Sequence, residues 1–190
     1  MDHDKIEKGF RMVMEGLGLD LDSPHLKDSP RRTAETWHQE LFRGLQAPVP
    51  VIQPYPIEEG FQQGLIALQQ IPVKSVCAHH FLPFTGTATV AFLPERVYCG
   101  LSNLSKVVDF FARRPQLQEN LTHEIARFLE KALVPKGVGV MIRARHGCME
   151  MRGVNHEGMM TTNTLLGAFK DDPATRAEFM ALAMAENQPR

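Results

Sequence analysis

The sequence predicts an α+β domain, with helices laid on one face of an antiparallel four-stranded sheet, behind an N-terminal helical arm. Three observations lead there. Apolar residues recur at helical spacing up to Gly44; four prolines crowd the stretch from Ala47 to Pro56; and beyond Gly64 the patterns run strand, strand, helix, helix, strand, strand.

In the arm, Ile6, Phe10, Val13, Met14 and Leu17 share one helical face, and Gly16 and Gly18 then weaken the pattern. Ser29-Pro30 reads as an N-cap followed by a proline at the first helical position, and Ala34, Trp37 and Leu41 continue one face toward Gly44. The prolines that follow remove backbone donors, so this stretch reads as a linker. Residues 1–60 form the arm and linker on this reading, and residues 61–190 the main domain. There, Leu65 to Val76 is rich in branched residues, while Ala88, Val90 and Phe92 alternate with Thr87 and Thr89, predicting two antiparallel strands. Leu104, Val107, Val108 and Phe111 fit a helix, and a second after Pro115 carries Leu121, Ile125, Phe128, Leu129 and Ala132. Val138, Val140, Ile142 and Ala144 predict a third strand running toward His146 and Cys148, and Met160 to Leu166 a fourth.

Composition narrows the function classes. The chain has 190 residues, and its 21 basic and 22 acidic residues leave a formal charge of -1, so no global field attracts nucleic acid or an anionic membrane. An anionic ligand must be met locally. No apolar run approaches the roughly 20 residues that span a bilayer, and the charged start at Met1 to Lys5 is unlike a signal peptide, which points to a cytoplasmic protein. Three cysteines are too few and too unevenly placed for a disulfide framework, so ligation is the more natural use of Cys77 and Cys148.

Cys77-Ala78-His79-His80 places a thiolate and an imidazole where one tight turn at a strand end can aim both at a single ion. His146-Gly147-Cys148 closes the third predicted strand, and side chains two apart in a strand share a face, so both can reach the same cleft. Cys77, His80 and Cys148 then make a Cys2His set for zinc. Three protein ligands leave a fourth position open, as in catalytic rather than structural zinc sites. The plainer alternative is that these are buried core residues, cysteine being among the most buried types. Cys99, with no His or Cys neighbour in the sequence, reads as a small buried apolar residue.

Cys77-Ala78-His79-His80-Phe81-Leu82-Pro83-Phe84, Gly100-Leu101-Ser102, Phe111 to Glu119 and Cys148-Met149-Glu150-Met151-Arg152-Gly153-Val154, in this order and spacing, resemble the GTP cyclohydrolase I family. The resemblance spans roughly Ser29 to Phe179. It implies the tunnelling fold and a homo-oligomer, usually a decamer of two pentamers, with a substrate pocket built from more than one chain. It also implies conversion of GTP to 7,8-dihydroneopterin triphosphate with release of carbon 8 as formate, the first step of folate and pterin biosynthesis. His79 and His146, outside the ligand set, can then relay protons as the imidazole ring opens. Glu119 matches the guanine anchor, one carboxylate accepting two parallel hydrogen bonds, with Gln118 assisting base recognition. Ser102 matches a ribose contact that helps ring closure, and Arg152 and Lys106 match triphosphate ligands. Plainer readings stand beside these. Glu119 can be a first-turn acid favoured by the helix dipole, Ser102 an N-cap, and Arg152 a solvated surface group. His156, Met159 and Met160 read as loop and packing residues.

The departures cluster at the phosphate end. The family commonly has Ser-Lys where this chain has Ser102-Asn103 and an arginine where it has Lys106, so one cation is lost and one bidentate donor becomes a point charge. The linker from Gln46 to Gln70 contains no lysine or arginine, and the segment from Gly153 to Phe169 is about one residue short of the family pattern. The family's Cys-Glu-His-His is here Cys77-Ala78-His79-His80. An ordinary GTP cyclohydrolase whose phosphate site is rebuilt from Lys74, Lys106, Arg113, Arg114 or Arg152 is one reading. A zinc hydrolase of a less phosphorylated or altered guanine nucleotide is a second, and a non-catalytic purine- or pterin-binding oligomer a third.

Overall fold

A computed structural model describes residues 1–60 and 64–185. The chain opens with helix α1 (His3–Gly16), where the Asp2 side chain accepts the Lys5 N–H and so satisfies one orphan donor of the first turn. Helix α2 (Ser29–Thr36) follows, with Pro30 buried in its first turn. Asp28, one residue earlier than expected, is its flanking cap. The helical path then loosens through a π turn at Trp37–Leu41 and a 3-10 turn at Arg43–Leu45, and Arg43 pairs with Asp109.

The proline-rich stretch is not all linker. Pro54–Pro56 forms strand β1, paired antiparallel with β4 (Val97–Cys99) as a separate ribbon. A two-stranded ribbon tolerates proline because only some of its positions donate to the ladder. The main sheet is built from β2 (Ile66–Cys77), β3 (Pro83–Leu93), β5 (Pro115–Gln116), β6 (Gly137–His146) and β7 (Met159–Gly167), in the order β5-β2-β3-β6-β7. The four long strands are antiparallel, as expected. The two-residue β5 adds a short parallel pairing of Pro115 and Gln116 with Val76 and Cys77.

Helices α3 (Leu101–Ala112) and α4 (Gln118–Leu133) cover one sheet face. Val107, Leu121, Ile125 and Leu129 pack there with Val73, Phe84, Val90 and Ile142, all buried. The opposite face is not bare, which corrects the expectation of helices on one face only. Past the four-residue α5 (Gly147–Glu150) and β7, helices α6 (Ala168–Asp171) and α7 (Pro173–Met184) set Phe169 and Phe179 against Ala91 and Met141. Glycine makes this possible: a Cβ on Gly139 would lie 2.9 Å from the Phe169 ring. The signal for α7 was present as Asp172-Pro173, an N-cap with proline at N1.

The expected boundary between arm and domain at residues 60 and 61 abuts residues 61–63, outside the described residues. Among the described residues no helix is long and apolar enough to cross a membrane.

Candidate metal centre and active site

Cys77 ends β2, and the chain turns at once. The Cys77 N–H donates to Leu82 O at 2.8 Å and the Phe81 N–H to Cys77 O at 2.9 Å, closing a loop around His79 and His80. The Ala78 N–H donates to Gln116 O at 3.0 Å, tying this turn to β5. From the other side β6 delivers His146, and the single turn of α5 carries Cys148. Arg145 braces that turn through Glu150, Nε to carboxylate 2.6 Å.

One donor atom each from Cys77, His80 and Cys148 lies within 4.8 Å of the others. Two thiols and one imidazole converge although the cysteines are separated by most of the domain, and this donor set suits a soft or borderline divalent cation. Cys77 is buried, Cys148 half-buried and His80 exposed, so the cluster opens toward solvent on one side. Burial pushes the Cys148 thiol up, reinforced by its hydrogen bond and charge interaction with Cys77, while Arg152 nearby opposes the rise. A cation placed between the sulfurs would take over from the proton that this arrangement favours. The residues therefore fit a metal.

His146 is 8% exposed. Its ring lies flat against Phe84, centroids 4.6 Å apart and planes 8° from parallel, and its Nε2 is 2.7 Å from Gln118 Oε1. Burial lowers its pKa, against the opposing charges of Glu119 and Glu150. Glu119 stands in the first turn of α4, next in the chain to Gln118, whose Oε1 meets that imidazole. His79 is exposed beside His80, ring centroids 6.2 Å apart.

Other expected site residues stand differently. Gln118 is 1% exposed, and its amide is engaged inside the protein, so it is not a surface group waiting for a base. Ser102 is exposed in the first turn of α3 and does not cap it; Gly100 flanks that helix, with no side-chain cap bond. Ala112, at the other end of α3, leads into β5 beside Cys77. At about 1.5 Å per residue, Ser102 lies roughly 15 Å and Lys106 roughly 9 Å along the helix from Ala112. Both therefore stand back along α3 from its end that leads into β5 and Cys77. Arg113 pairs with Asp109 at 3.1 Å and Arg114 with Glu124 at 2.7 Å, so neither is a free phosphate ligand. Lys74 alternates with the buried Val73 and Ser75 and so faces away from the side that carries Cys77. Arg152 is exposed near Cys148. Cys99 is buried, and burial raises its thiol pKa. Met159 and Met160 open β7.

Sequence reasoning missed three contributors. Phe84, the Thr122–Thr162 pair behind Gln118 and Trp37 against Phe81 each touch the site or its supports. Only Phe84 lay inside a singled-out motif, and nothing in its spacing predicted a stack on residue 146.

Comparison with known proteins gives a consistent answer. A family model described as GTP cyclohydrolase I matches residues 6–184. A protein named GTP cyclohydrolase 1 from Sulfurihydrogenibium sp. (strain YO3AOP1) is 42% identical over 185 residues, 96% of this chain and 95% of that one. Proteins of the same name from Carboxydothermus hydrogenoformans and Aquifex aeolicus are 45% and 43% identical, each over 96% of this chain and over 95% and 97% of their own lengths.

Proposed function

The chain belongs to the GTP cyclohydrolase I family, and from that membership we infer that it is a hydrolase acting on GTP, at the first step of folate and pterin biosynthesis. The product is 7,8-dihydroneopterin triphosphate, with carbon 8 of guanine leaving as formate. The observation that carries this reading is the convergence of Cys77, His80 and Cys148, donor atoms within 4.8 Å.

Zinc is the metal these ligands suit, and when bound with an open position it supplies a Lewis acid that lowers the pKa of bound water to about 7. The chain's own residues do the rest. Both carbon–nitrogen bonds to carbon 8 must break, and each nitrogen released takes up a proton. His146, held by Phe84 and Gln118 two residues before the ligand Cys148, and His79, next to the ligand His80, are the groups that move those protons. Glu119 accepts from the ring N–H and the exocyclic amine of guanine, fixing the base.

Ser102 and Lys106 serve the ribose and phosphates of a site on another copy of the chain, since the length of α3 separates them from the cluster of their own. Homo-oligomerisation supports this. The outer edge of β7 and the edge of β2 before Val76 have no neighbouring strand among the described residues. Copies pairing edge to edge would close a ring of the tunnelling type, and the family's usual decamer is the expected size. Lys106 and Arg152 are the cations left for the triphosphate, and the setting is cytoplasmic.

Incubating the zinc-loaded protein with GTP, GDP, GMP and guanosine, with formate and pterin fluorescence measured, tests the reading. Efficient turnover of GTP is expected. Preference for a substrate with fewer phosphates would move the assignment to a paralogue with the same zinc chemistry acting on a less phosphorylated guanine nucleotide, and no formate from any of them, with metal bound, would leave a binding protein.

A further inference from the structure

Gln118 stands in the buried first turn of α4, and every polar atom of its amide is spoken for. Its Nε2 lies 3.0 Å from Ile142 O, 3.1 Å from Met160 O and 3.1 Å from Thr162 Oγ1. Two of these partners are backbone carbonyls, which only accept. That chemistry settles which end of the amide is nitrogen, a question geometry alone often leaves to assignment. The other end is therefore the oxygen, and it faces His146 Nε2 at 2.7 Å. An amide oxygen cannot donate, so the proton between them belongs to His146.

The hydroxyls behind the amide are ordered in the same sense. Thr122 Oγ1 donates to Gln118 O at 2.7 Å, which uses its only proton. Thr162 Oγ1, 2.6 Å from Thr122 Oγ1, must then donate to it and keeps a lone pair for Gln118 Nε2. Donation runs in one direction only, from the imidazole through the amide to the threonines.

We propose that Gln118 is a positioning residue for His146, holding its imidazole as the Nε2–H tautomer in one ring orientation and leaving Nδ1 as the free nitrogen that handles protons at the metal site. The stacked Phe84 ring keeps the imidazole in its plane, but a half-turn about the Cβ–Cγ bond would restore that plane with Cε1 in place of Nε2, and the bond to Gln118 Oε1 opposes it. This proposal rests on the reading of His146 as a proton-relaying group, and it gives Gln118 a role distinct from contact with the base.

The test compares Gln118→Met with Gln118→Glu in the zinc-loaded protein. Both take the amide donor from Ile142 O and Met160 O, so both should lower the melting temperature. Only the methionine also removes the oxygen that accepts from His146 Nε2–H. Gln118→Met should reduce kcat about 30-fold, within the range for partners that orient a site histidine, with KM for GTP and zinc content unchanged. Gln118→Glu should recover most of kcat. In solid-state 15N spectra of histidine-labelled protein, with His146 assigned by the signals lost in His146→Asn, the parent should show a protonated Nε2. Gln118→Met should show a second tautomer, and Gln118→Glu should not.

An unchanged His146 spectrum in Gln118→Met would overturn the proposal, as would equal losses of kcat in both variants that track their melting temperatures. A raised KM with kcat intact would make Gln118 a base contact instead. Should the parent protein release no formate from GTP, the functional reading fails, while the 15N spectra still decide the tautomer.

Discussion

Trp37 stacks on Phe81, ring centroids 5.6 Å apart and planes 22° from parallel, so the helical arm rests on the residue that follows His80. Phe42 tilts against the same ring at 5.9 Å. Phe81 holds φ at +55°, a left-handed conformation that costs a non-glycine residue on the order of 1–3 kcal/mol and persists only where its surroundings impose it. The metal turn is thus clamped by aromatic residues that precede the main sheet in the chain.

Replacing Trp37 by alanine should weaken zinc binding about fivefold, corresponding to roughly 1 kcal/mol for a lost aromatic pair. Competition against a chromogenic chelator measures it, with Trp37→Phe retaining most of the affinity. Unaltered affinity in Trp37→Ala would reduce the stack to ordinary packing.

Cys148→Ser should lose zinc on dialysis, because a thiolate is removed from a three-ligand set. His79→Ala should keep zinc and lose kcat by about a hundredfold, the lower range for a missing proton-transfer group. Metal analysis beside steady-state kinetics separates the two; equal zinc loss would make His79 a ligand or a support for one.

Ser102→Ala and Cys148→Ser should complement each other. If the roughly 15 Å between Ser102 and Ala112 means that Ser102 serves a neighbour, oligomers reassembled from the two variants contain some sites with both defects and some with neither. Activity in the mixture well above that of either variant is expected. A mixture no better than the average of its components would place Ser102 in its own chain's site.

Asp172 caps α7, accepting from the Thr175 side chain and from the N–H groups of Thr175 and Ala174. These bonds, the Thr175 hydroxyl foremost, lower its pKa below the ordinary carboxylate value of about 3.9. A depressed pKa in the folded state favours folding above the unfolded-state value, and the advantage is lost as pH falls through the folded one. The melting-temperature gap between the parent and Asp172→Ala should therefore be steady above about pH 5 and shrink below about pH 4. A gap that persists into acid would assign it to helix propensity rather than to the charge.

Much of the fold was legible because periodicity reports which face of an element is buried. The alternation at Val138, Val140 and Ile142 and the helical spacing of Leu121, Ile125 and Leu129 each follow from contact with one core. The Pro54–Pro56 strand escaped because its pairing depends on Val97 to Cys99, far along the chain. Helix α7 escaped because Phe179 and Ala183 alone carry its buried side. At the site, ligand chemistry was readable from cysteine and histidine spacing, whereas Gln118 beside Glu119 looked like a second base contact. Neighbours on a helix point in different directions, and burial of one with exposure of the other appears only when α4 is laid on the sheet.

Sequence by itself determined the donor types at Cys77, His80 and Cys148, the family, and the strand and helix order that delivers them. Tertiary structure alone decided that the donors meet within 4.8 Å and that His146 is gripped between Phe84 and Gln118. The physical reason is that a local pattern records each residue's preference for water or core, while the distance between residues remote in the chain is set by strand register and helix packing.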